Sequence, residues 1–404
     1  MSAAIKKVTV AQLQPGMYIH DLNCGWMDHP FLISQFRIKD EATIKKIGAL
    51  GICELYIDTK KGTDVADAKT ADEVQREIQQ GLLDIVESEP PPIKAVELAE
   101  EAFRARKLHV AANKIVHGLL DDVRLGRQIE VDKLEPLVEN MVESIFRCQD
   151  ALLPMARLKN HDEYTFQHSV SVCALMVSFA RNLKLPRDVI RDIGMGALLH
   201  DVGKSKVPGT ILNKPGKLDE REFEIMKQHV VYSAQILGDT KGINEVAYEV
   251  AALHHERFDG TGYPNKLKGD EISLYGQMSA IVDVYDAITS IRVYHKGIPA
   301  TEALGKIFEW SKFHFKPELV QAFVRAIGIY PTGSLVKLAS GRLAVVLEQQ
   351  GNNSMKPRVK VIYSTKQNAF ISPEIVDLSK TADKIEGHES FTKWGIDPLQ
   401  WLPH

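Results

Sequence analysis

The sequence predicts a mainly α-helical protein: a helical bundle that carries the chemistry, a small α+β module before it and a short β-rich extension after it. Three observations lead there. Between residues 95 and 327 apolar side chains recur at three- and four-residue steps, the period of an amphipathic helix. Before residue 60 and after Pro331 the pattern changes to short β-prone runs parted by Gly, Pro and Asn turns. Seven His and Asp side chains fall on or beside helix-patterned segments, which suits ligands projecting into a bundle.

At 404 residues the chain is too long for one ordinary core and should hold two or three folded units. A formal charge of -3 argues against a general nucleic-acid binder, which would need a surplus of Lys and Arg for phosphates. Cys24, Cys53, Cys148 and Cys173 show no CxxC pairing, so they read as reduced thiols, with Cys173 a plain core residue inside the apolar run from Val170 to Ala180. The N-terminus lacks the order of a secretory signal, and no run of about 18 apolar residues is uninterrupted. A cytoplasmic protein with no membrane span is expected.

Residues 1–66 read as the α+β module. A strand, a Gln14-Pro15-Gly16 turn and a second strand run from Val8 to Ile19, and another strand signal covers Phe31 to Ile38. Glu41 to Leu50 is helical in pattern, Gly51 stops it, and Ile52 to Asp58 returns to a strand. No chemistry-bearing cluster lies here, which suggests regulation or docking. Residues 67–94 read as a linker: Lys60 to Glu73 is charged and weakly patterned, and Glu87 to Pro92 is a stiff proline run. Residues 95–153 form two long amphipathic segments, Ala95 to Leu125 and Val131 to Leu153, which either extend the bundle or support a homodimer.

Residues 154–330 read as the catalytic bundle, with helices over Thr165–Leu183, Arg187–Leu199, Asp219–Leu237, Ile243–His255, Ser273–Ile291, Ala300–Trp310 and Pro317–Ile327. Pro186 and Pro317 stand near helix starts, and Asp219 ahead of Glu222 is an N-cap pattern. In the extension, 331–404, short strands are expected at Ser334–Leu338, Leu343–Glu348 and Arg358–Tyr363, with a capping role for the bundle. No internal repeat is evident.

The chemistry centres on Gly194 to Lys206. An apolar helix delivers His200 and Asp201 side by side, and neighbours on a helix diverge by about 100°, so the pair can share one centre only near a helix end. Gly203 is expected to supply that end, bringing Lys204 back to the same place. A lone His-Asp pair says little, but His168, His229, His254, His255 and Asp283 keep it company. Imidazole with carboxylate suits a borderline divalent metal. Seven such groups are too many for one ion and about right for two. The run from His254 to Pro264 adds a glycine-rich loop that can offer backbone N–H groups and an aromatic ring to a phosphate-bearing ligand.

On these residues the chain closely resembles the HD-GYP family of bacterial cyclic di-GMP phosphodiesterases, a branch of the HD metal-dependent phosphohydrolases. The resemblance spans Tyr164 to Ile329 and rests on His168-Ser169, the His200 to Lys204 run, His229, the His254 to Pro264 run, Asp283 to Ala287, and Arg292 with Tyr294. The first 65 or so residues look like a domain of unknown function often found before this unit. The resemblance implies an HD-type bundle in which His168, His200, Asp201 and Asp283 hold one metal and His229, His254 and His255 a second, bridged by Asp201. Iron or manganese is expected first, zinc or nickel otherwise. A hydroxide held between the ions would open cyclic di-GMP to pGpG and onward to GMP. Lys204 would neutralise the attacked phosphate or orient the hydroxide. Gly262, Tyr263, Asp286, Arg292 and His295 would face the substrate, with Asp286 steadying a ligand or Lys204. The GYP loop would also be a docking point for GGDEF-domain proteins.

Departures from the family pattern bear on detail. Family members with three metals resemble one another in a Glu four residues before the first His, where this chain has Tyr164, which implies two metals. Ile291, Val293 and His295 replace commoner Asp, Pro and Arg or Lys, which would alter substrate grip. Two competing readings are a signalling adaptor that binds cyclic di-GMP or a diguanylate cyclase without useful catalysis, and an HD phosphohydrolase acting on another nucleotide.

Overall fold

The computed structural model describes residues 4–24, 35–87, 96–156, 164–214, 216–290, 297–350 and 355–403. Contacts divide the chain into two units: residues 1–81 with 209–226, and residues 82–208 with 227–404. The segment 209–226, inside the stretch read as catalytic, thus groups with the N-terminal residues.

In the first unit, β1 (Ile5–Thr9), β2 (Tyr18–Asp21), β3 (Phe36–Arg37) and β4 (Glu54–Asp58) form an antiparallel sheet in the order β1-β4-β2-β3. Helix α1 (Glu41–Ala49) is capped by Asp40, whose carboxylate accepts the Thr43 N–H at 2.9 Å. Alternation along the strands sends Val8, Ile19, Leu55 and Ile57 into one core with Met17, Ile38 and Ile47. Gly51 ends α1 with φ +74°, as its position in the sequence suggests. Most of the Phe31 to Ile38 strand signal falls outside the described residues.

The linker reading of 67–94 meets a 17-residue helix, α2 (Ala71–Glu87). Val74, Ile78, Leu82 and Ile85 are buried at helical spacing, a stripe hidden among many charges. The proline run lies within residues 88–95, outside those described.

The second unit holds α3 (Leu98–Arg124), α4 (Val131–Ala156), α5 (Tyr164–Asn182) and α6 (Arg187–Leu199), close to the lengths the sequence pattern gives. Glu101 of α3 is fully buried and accepts from Arg147 Nε (2.8 Å), Arg147 Nη2 (2.9 Å) and Ser144 Oγ (2.8 Å), all on α4. Burial pushes its carboxyl up, but the arginine and serine outweigh that and hold it below the usual range. Helix α5 is buried on every face from Gln167 to Ala180 and packs against α3, α4, α6 and two later helices of the bundle, which explains its nearly unbroken apolar sequence. Cys173 lies within it, its thiol pushed up to about 12 by burial, as a core cysteine should be.

Further along lie α7 (Gly209–Leu212), α8 (Glu220–Gly238), α9 (Glu245–Ala252), α10 (Leu274–Thr289), α11 (Ala300–Trp310) and α12 (Pro317–Ile327). Asp219 caps α8 reciprocally: Glu222 N–H donates to Asp219 Oδ1 and Asp219 N–H to Glu222 Oε2, each at 2.8 Å. Helices α6 and α9 touch at Gly196, where a Cβ would overlap the backbone of Ala247. That close approach sets the C-terminal ends of α6 and α9 beside each other.

The C-terminal extension is a five-stranded antiparallel sheet, β8-β7-β6-β5-β9, built from β5 (Leu335–Leu338), β6 (Arg342–Glu348), β7 (Arg358–Ser364), β8 (Ala369–Asp377) and β9 (Ile385–His388). Strands β8 and β9 escape the sequence pattern; β8 is exposed along most of its length, with Val376 buried near its end, and shows no alternation. Helix α13 (Phe391–Trp394) follows. Asp150 of α4 ties the sheet to the bundle: its buried carboxylate accepts from Thr332 Oγ1 (2.7 Å) and Gln349 N–H (3.1 Å).

Candidate metal centre

Five elements bring the His and Asp residues together. His200 caps the C-terminus of α6, and Asp201 follows before a 3₁₀ turn, Val202–Lys206. His254 and His255 stand just beyond α9, which stops at Ala252, earlier than the pattern through His255 suggests. His168 comes from α5, His229 from α8 and Asp283 from α10.

Gly203 has a different task from the one its sequence position suggests. It does not take a positive φ, so no left-handed turn ends the helix there. A Cβ on Gly203 would instead overlap the carbonyl oxygen of His229 and the amide of Ser233, and its N–H donates to Ser233 Oγ at 2.9 Å. The glycine lets the His200-Asp201 turn lie against α8, and so places His229 opposite Asp201.

Asp201 stands at the centre, 2% exposed. Its Oδ2 is 3.4 Å from His200 Nε2 and 3.6 Å from His168 Nε2; its Oδ1 is 3.3 Å from His229 Nε2 and 3.9 Å from His254 Nε2. Each oxygen of one carboxylate therefore faces a different pair of histidines. Asp283 Oδ1 is 2.9 Å from His168 Nε2, and its Oδ2 is 3.8 Å from His255 Nδ1. Three overlapping groups have ligand atoms within 4.8 Å of one another: His229-His254-His255, His168-His200-Asp283 and His200-Asp201-His254. That is near the span across an ion bound at about 2.0–2.2 Å.

The proton positions suit metal binding. His200 Nδ1 and His254 Nδ1 lie 2.8 and 2.7 Å from the carbonyl oxygens of Ala197 and Ala251, each three residues earlier. A carbonyl can only accept, so each Nδ1 carries a proton and any metal must be met at Nε2. The neutral His254 ring presents a lone pair there. Burial lowers His200, but Asp201 and Asp283 outweigh it and favour its charged form, whose extra proton a cation would displace. Both Nε2 atoms are buried and hydrogen-bonded to nothing. An orphaned buried acceptor is costly, and a divalent cation is the partner it fits. His168 follows the same logic by another route: its Nδ1 donates to Asp286 Oδ2 at 2.6 Å, leaving Nε2 inward.

Electrostatics keep the carboxylates charged and the imidazoles neutral at the His254 end. Burial pushes Asp201 up, but Lys204, with Nζ 2.5 Å from Oδ2, and the neighbouring histidines hold it well below the usual range. Asp283 is likewise held low, burial being outweighed by His168. Burial, with the other histidines, pushes His254 down to about 3 and His255 well below its ordinary value. Neutral imidazoles are ready to bind metal without first losing a proton.

Among the remaining site residues named from the sequence, Lys204 pairs with Asp201, and Gly262 and Tyr263 lie beside His255. The Tyr263 ring stacks on the His255 ring, centroids 4.7 Å apart, with Lys227 Nζ 5.6 Å over it. Asp286 corrects its assignment to the substrate: it is 1% exposed and sits behind His168, with Ser171 Oγ donating to its other oxygen. Its partner is His168 Nδ1, while Lys204 pairs with Asp201. Arg292 and His295, with Ile291 and Val293, lie outside the described residues, as does the Tyr164 side chain.

Sequence reasoning passed over Ser171, Lys227 and the role of Glu256. Ser171 sits three residues after His168 on α5, a helical neighbour that could have been noticed. Glu256 follows the His-His pair directly and is 1% exposed; burial raises its carboxyl despite hydrogen bonds from loop amides.

Comparison with known proteins agrees with this architecture. Residues 5–134 match a domain of unknown function (DUF3391), and residues 153–319 match the HD domain. The chain is 40% identical, over 98% of its length and 94% of the relative's, to a cyclic di-GMP phosphodiesterase of Pseudomonas aeruginosa. A 3'3'-cGAMP-specific phosphodiesterase of Vibrio cholerae is 45% identical over 30% of this chain and 24% of its own. A solved HDG"Y"P protein of Bdellovibrio bacteriovorus is 16% identical and aligns with 79% of this chain and 98% of its own, at a TM-score of 0.47. With near full-length identity to the Pseudomonas enzyme and the HD domain placed over the His and Asp cluster, the chain belongs to the HD-GYP family of HD-domain proteins.

Proposed function

We propose that the chain is a metal-dependent phosphodiesterase that opens cyclic di-GMP to linear pGpG and cleaves on to GMP, using two divalent ions per chain, iron or manganese. The near full-length relative carries that activity in its name. The observation that carries the chemistry is the pair of buried Nε2 atoms of His200 and His254, aimed inward by protons fixed on the opposite nitrogens.

His168, His200, Asp201 and Asp283 would hold one ion and His229, His254 and His255 the other, with Asp201 shared. Bound ions supply a water acidic enough to attack at neutral pH and offset charge on the phosphoryl oxygens. The chain's own residues do the rest. Asp286 and the two alanine carbonyls lock the imidazoles in the ligating tautomer. Lys204, on a flexible stem beside Asp201, lies where its ammonium can pass to a phosphate oxygen without leaving the site. Tyr263 and Lys227 form an aromatic and cationic lip next to His255, suited to a base and a phosphate.

Protein loaded anaerobically with iron or manganese is incubated with cyclic di-GMP and the products are separated by chromatography. Conversion to pGpG with two ions per chain by elemental analysis is expected; no turnover with either metal overturns the reading. The Vibrio relative gives a specific reason to run 3'3'-cGAMP alongside. Faster turnover of the mixed dinucleotide would move the substrate assignment while leaving the reaction class in place.

A further inference from the structure

The loop after the His254-His255 pair is held by a carboxylate that touches no metal ligand side chain. Glu256, 1% exposed, turns away from the cluster and accepts backbone N–H groups from Asn265 (Oε1, 2.7 Å) and Leu267 (Oε2, 3.1 Å). The two ends of the loop are thereby joined through one side chain, nine and eleven residues along the chain. Between those ends the backbone doubles back: Tyr263 N–H donates to the His255 carbonyl at 3.1 Å. Gly262 is pressed so close that a Cβ would come within 2.6 Å of both the His255 oxygen and Glu256 Cα. The base of the loop is fastened separately, by Phe258 N–H on the His314 carbonyl (2.9 Å) and Gly269 N–H on the Phe258 carbonyl (2.8 Å).

We propose that Glu256 is a positioning residue: it sets the Gly262-Tyr263 turn over the metal ligand His255 and thereby aligns a cyclic dinucleotide without touching it. This rests on the reading that the loop faces that substrate. A carboxylate offers several acceptor sites and no donor, so it can satisfy successive backbone N–H groups that would otherwise be buried without partners. Without it, the 265–267 segment has no acceptor, and Tyr263, two residues earlier, loses its fixed place against His255. A misplacement of about 1 Å at a substrate-positioning group costs on the order of 10²-fold in rate. Small diesters that do not reach the loop should not feel it.

The test uses Glu256→Ala and Glu256→Gln in the full chain loaded with manganese, with cyclic di-GMP and bis(p-nitrophenyl) phosphate as substrates. Glutamine keeps one acceptor and turns the other into a donor, so it should fall between wild type and alanine. The expected result is a KM for cyclic di-GMP raised by about 10- to 100-fold in Glu256→Ala, with metal content and small-diester turnover kept. Hydrogen exchange at the Asn265 and Leu267 amides should quicken in the same variant, whatever the substrate. Equal loss on both substrates, loss of metal, or unchanged KM and unchanged exchange each overturn the proposal. Should wild type spare cyclic di-GMP while cleaving the small diester, the substrate reading fails instead, and the exchange measurement still decides whether Glu256 holds the turn.

Discussion

The histidines of the candidate metal centre are oriented by two different means. At the ends of α6 and α9 the same local device appears twice: a histidine past the last turn gives its Nδ1 proton to the carbonyl three residues back, at Ala197 and at Ala251. Around α5 and α10 the equivalent proton goes to Asp286, 118 residues from His168. The first arrangement comes with the helix end and cannot be removed by changing a side chain. The second exists only once two distant helices have packed, and is open to single substitutions.

The largest effect should come from Asp201, the residue that the two proposed ions share. Asp201→Asn removes the charge that faces four histidines, and both ions should leave; activity should fall by more than the roughly 10–100-fold that losing a ligand's own hydrogen-bond partner costs. Retention of both ions in this variant would show that Asp201 is not shared between them. Gly203→Ala comes next, because its methyl group would press into the backbone of His229 and Ser233. It should destabilise the fold by about 3 kcal/mol or more, beyond the usual cost of overpacking, read as a lowered denaturant midpoint.

Asp286→Ala tests the long-range arrangement directly. His168 loses its Nδ1 acceptor, so metal affinity at the His168 group should fall about 10–100-fold while the group with His229 and His254 keeps its ion. Stepwise metal titration distinguishes this from equal loss at both sites, which would abolish the contrast drawn above. The smallest effect lies away from the centre, at Glu101. Its carboxyl is held below the ordinary value of 4.5, so its contribution is full above that value and is lost as pH falls through the lower, folded-state value. Denaturation of wild type and Glu101→Gln should therefore differ most at neutral pH and converge only as pH falls through the folded-state value, which lies below 4.5.

Legibility in the sequence follows the range of the cause. The helices of the bundle were readable to within a few residues because an apolar stripe is a property of a short window; α11 (Ala300–Trp310) and α12 (Pro317–Ile327) match the pattern residue for residue. Helix α2 was obscured because charges surround its stripe of Val74, Ile78, Leu82 and Ile85. Strand β8 was obscured because it is exposed along most of its length, with Val376 buried near its end, so little compels its side chains to alternate. In the centre, the residue types alone suggested a metal, since few other partners suit so many imidazoles and carboxylates in one chain.

What the sequence determined by itself was therefore the local part: where helices run, which residues could bind a cation, and which family the chain resembles. Only the tertiary structure decided that Gly203 serves close packing and not a turn, that Asp286 is buried behind His168, and that Glu256 closes its loop. Each of these depends on atoms far apart in the chain, or on the direction a side chain takes once buried. Periodicity carries no information about either, because it records which face is hidden and not what that face meets.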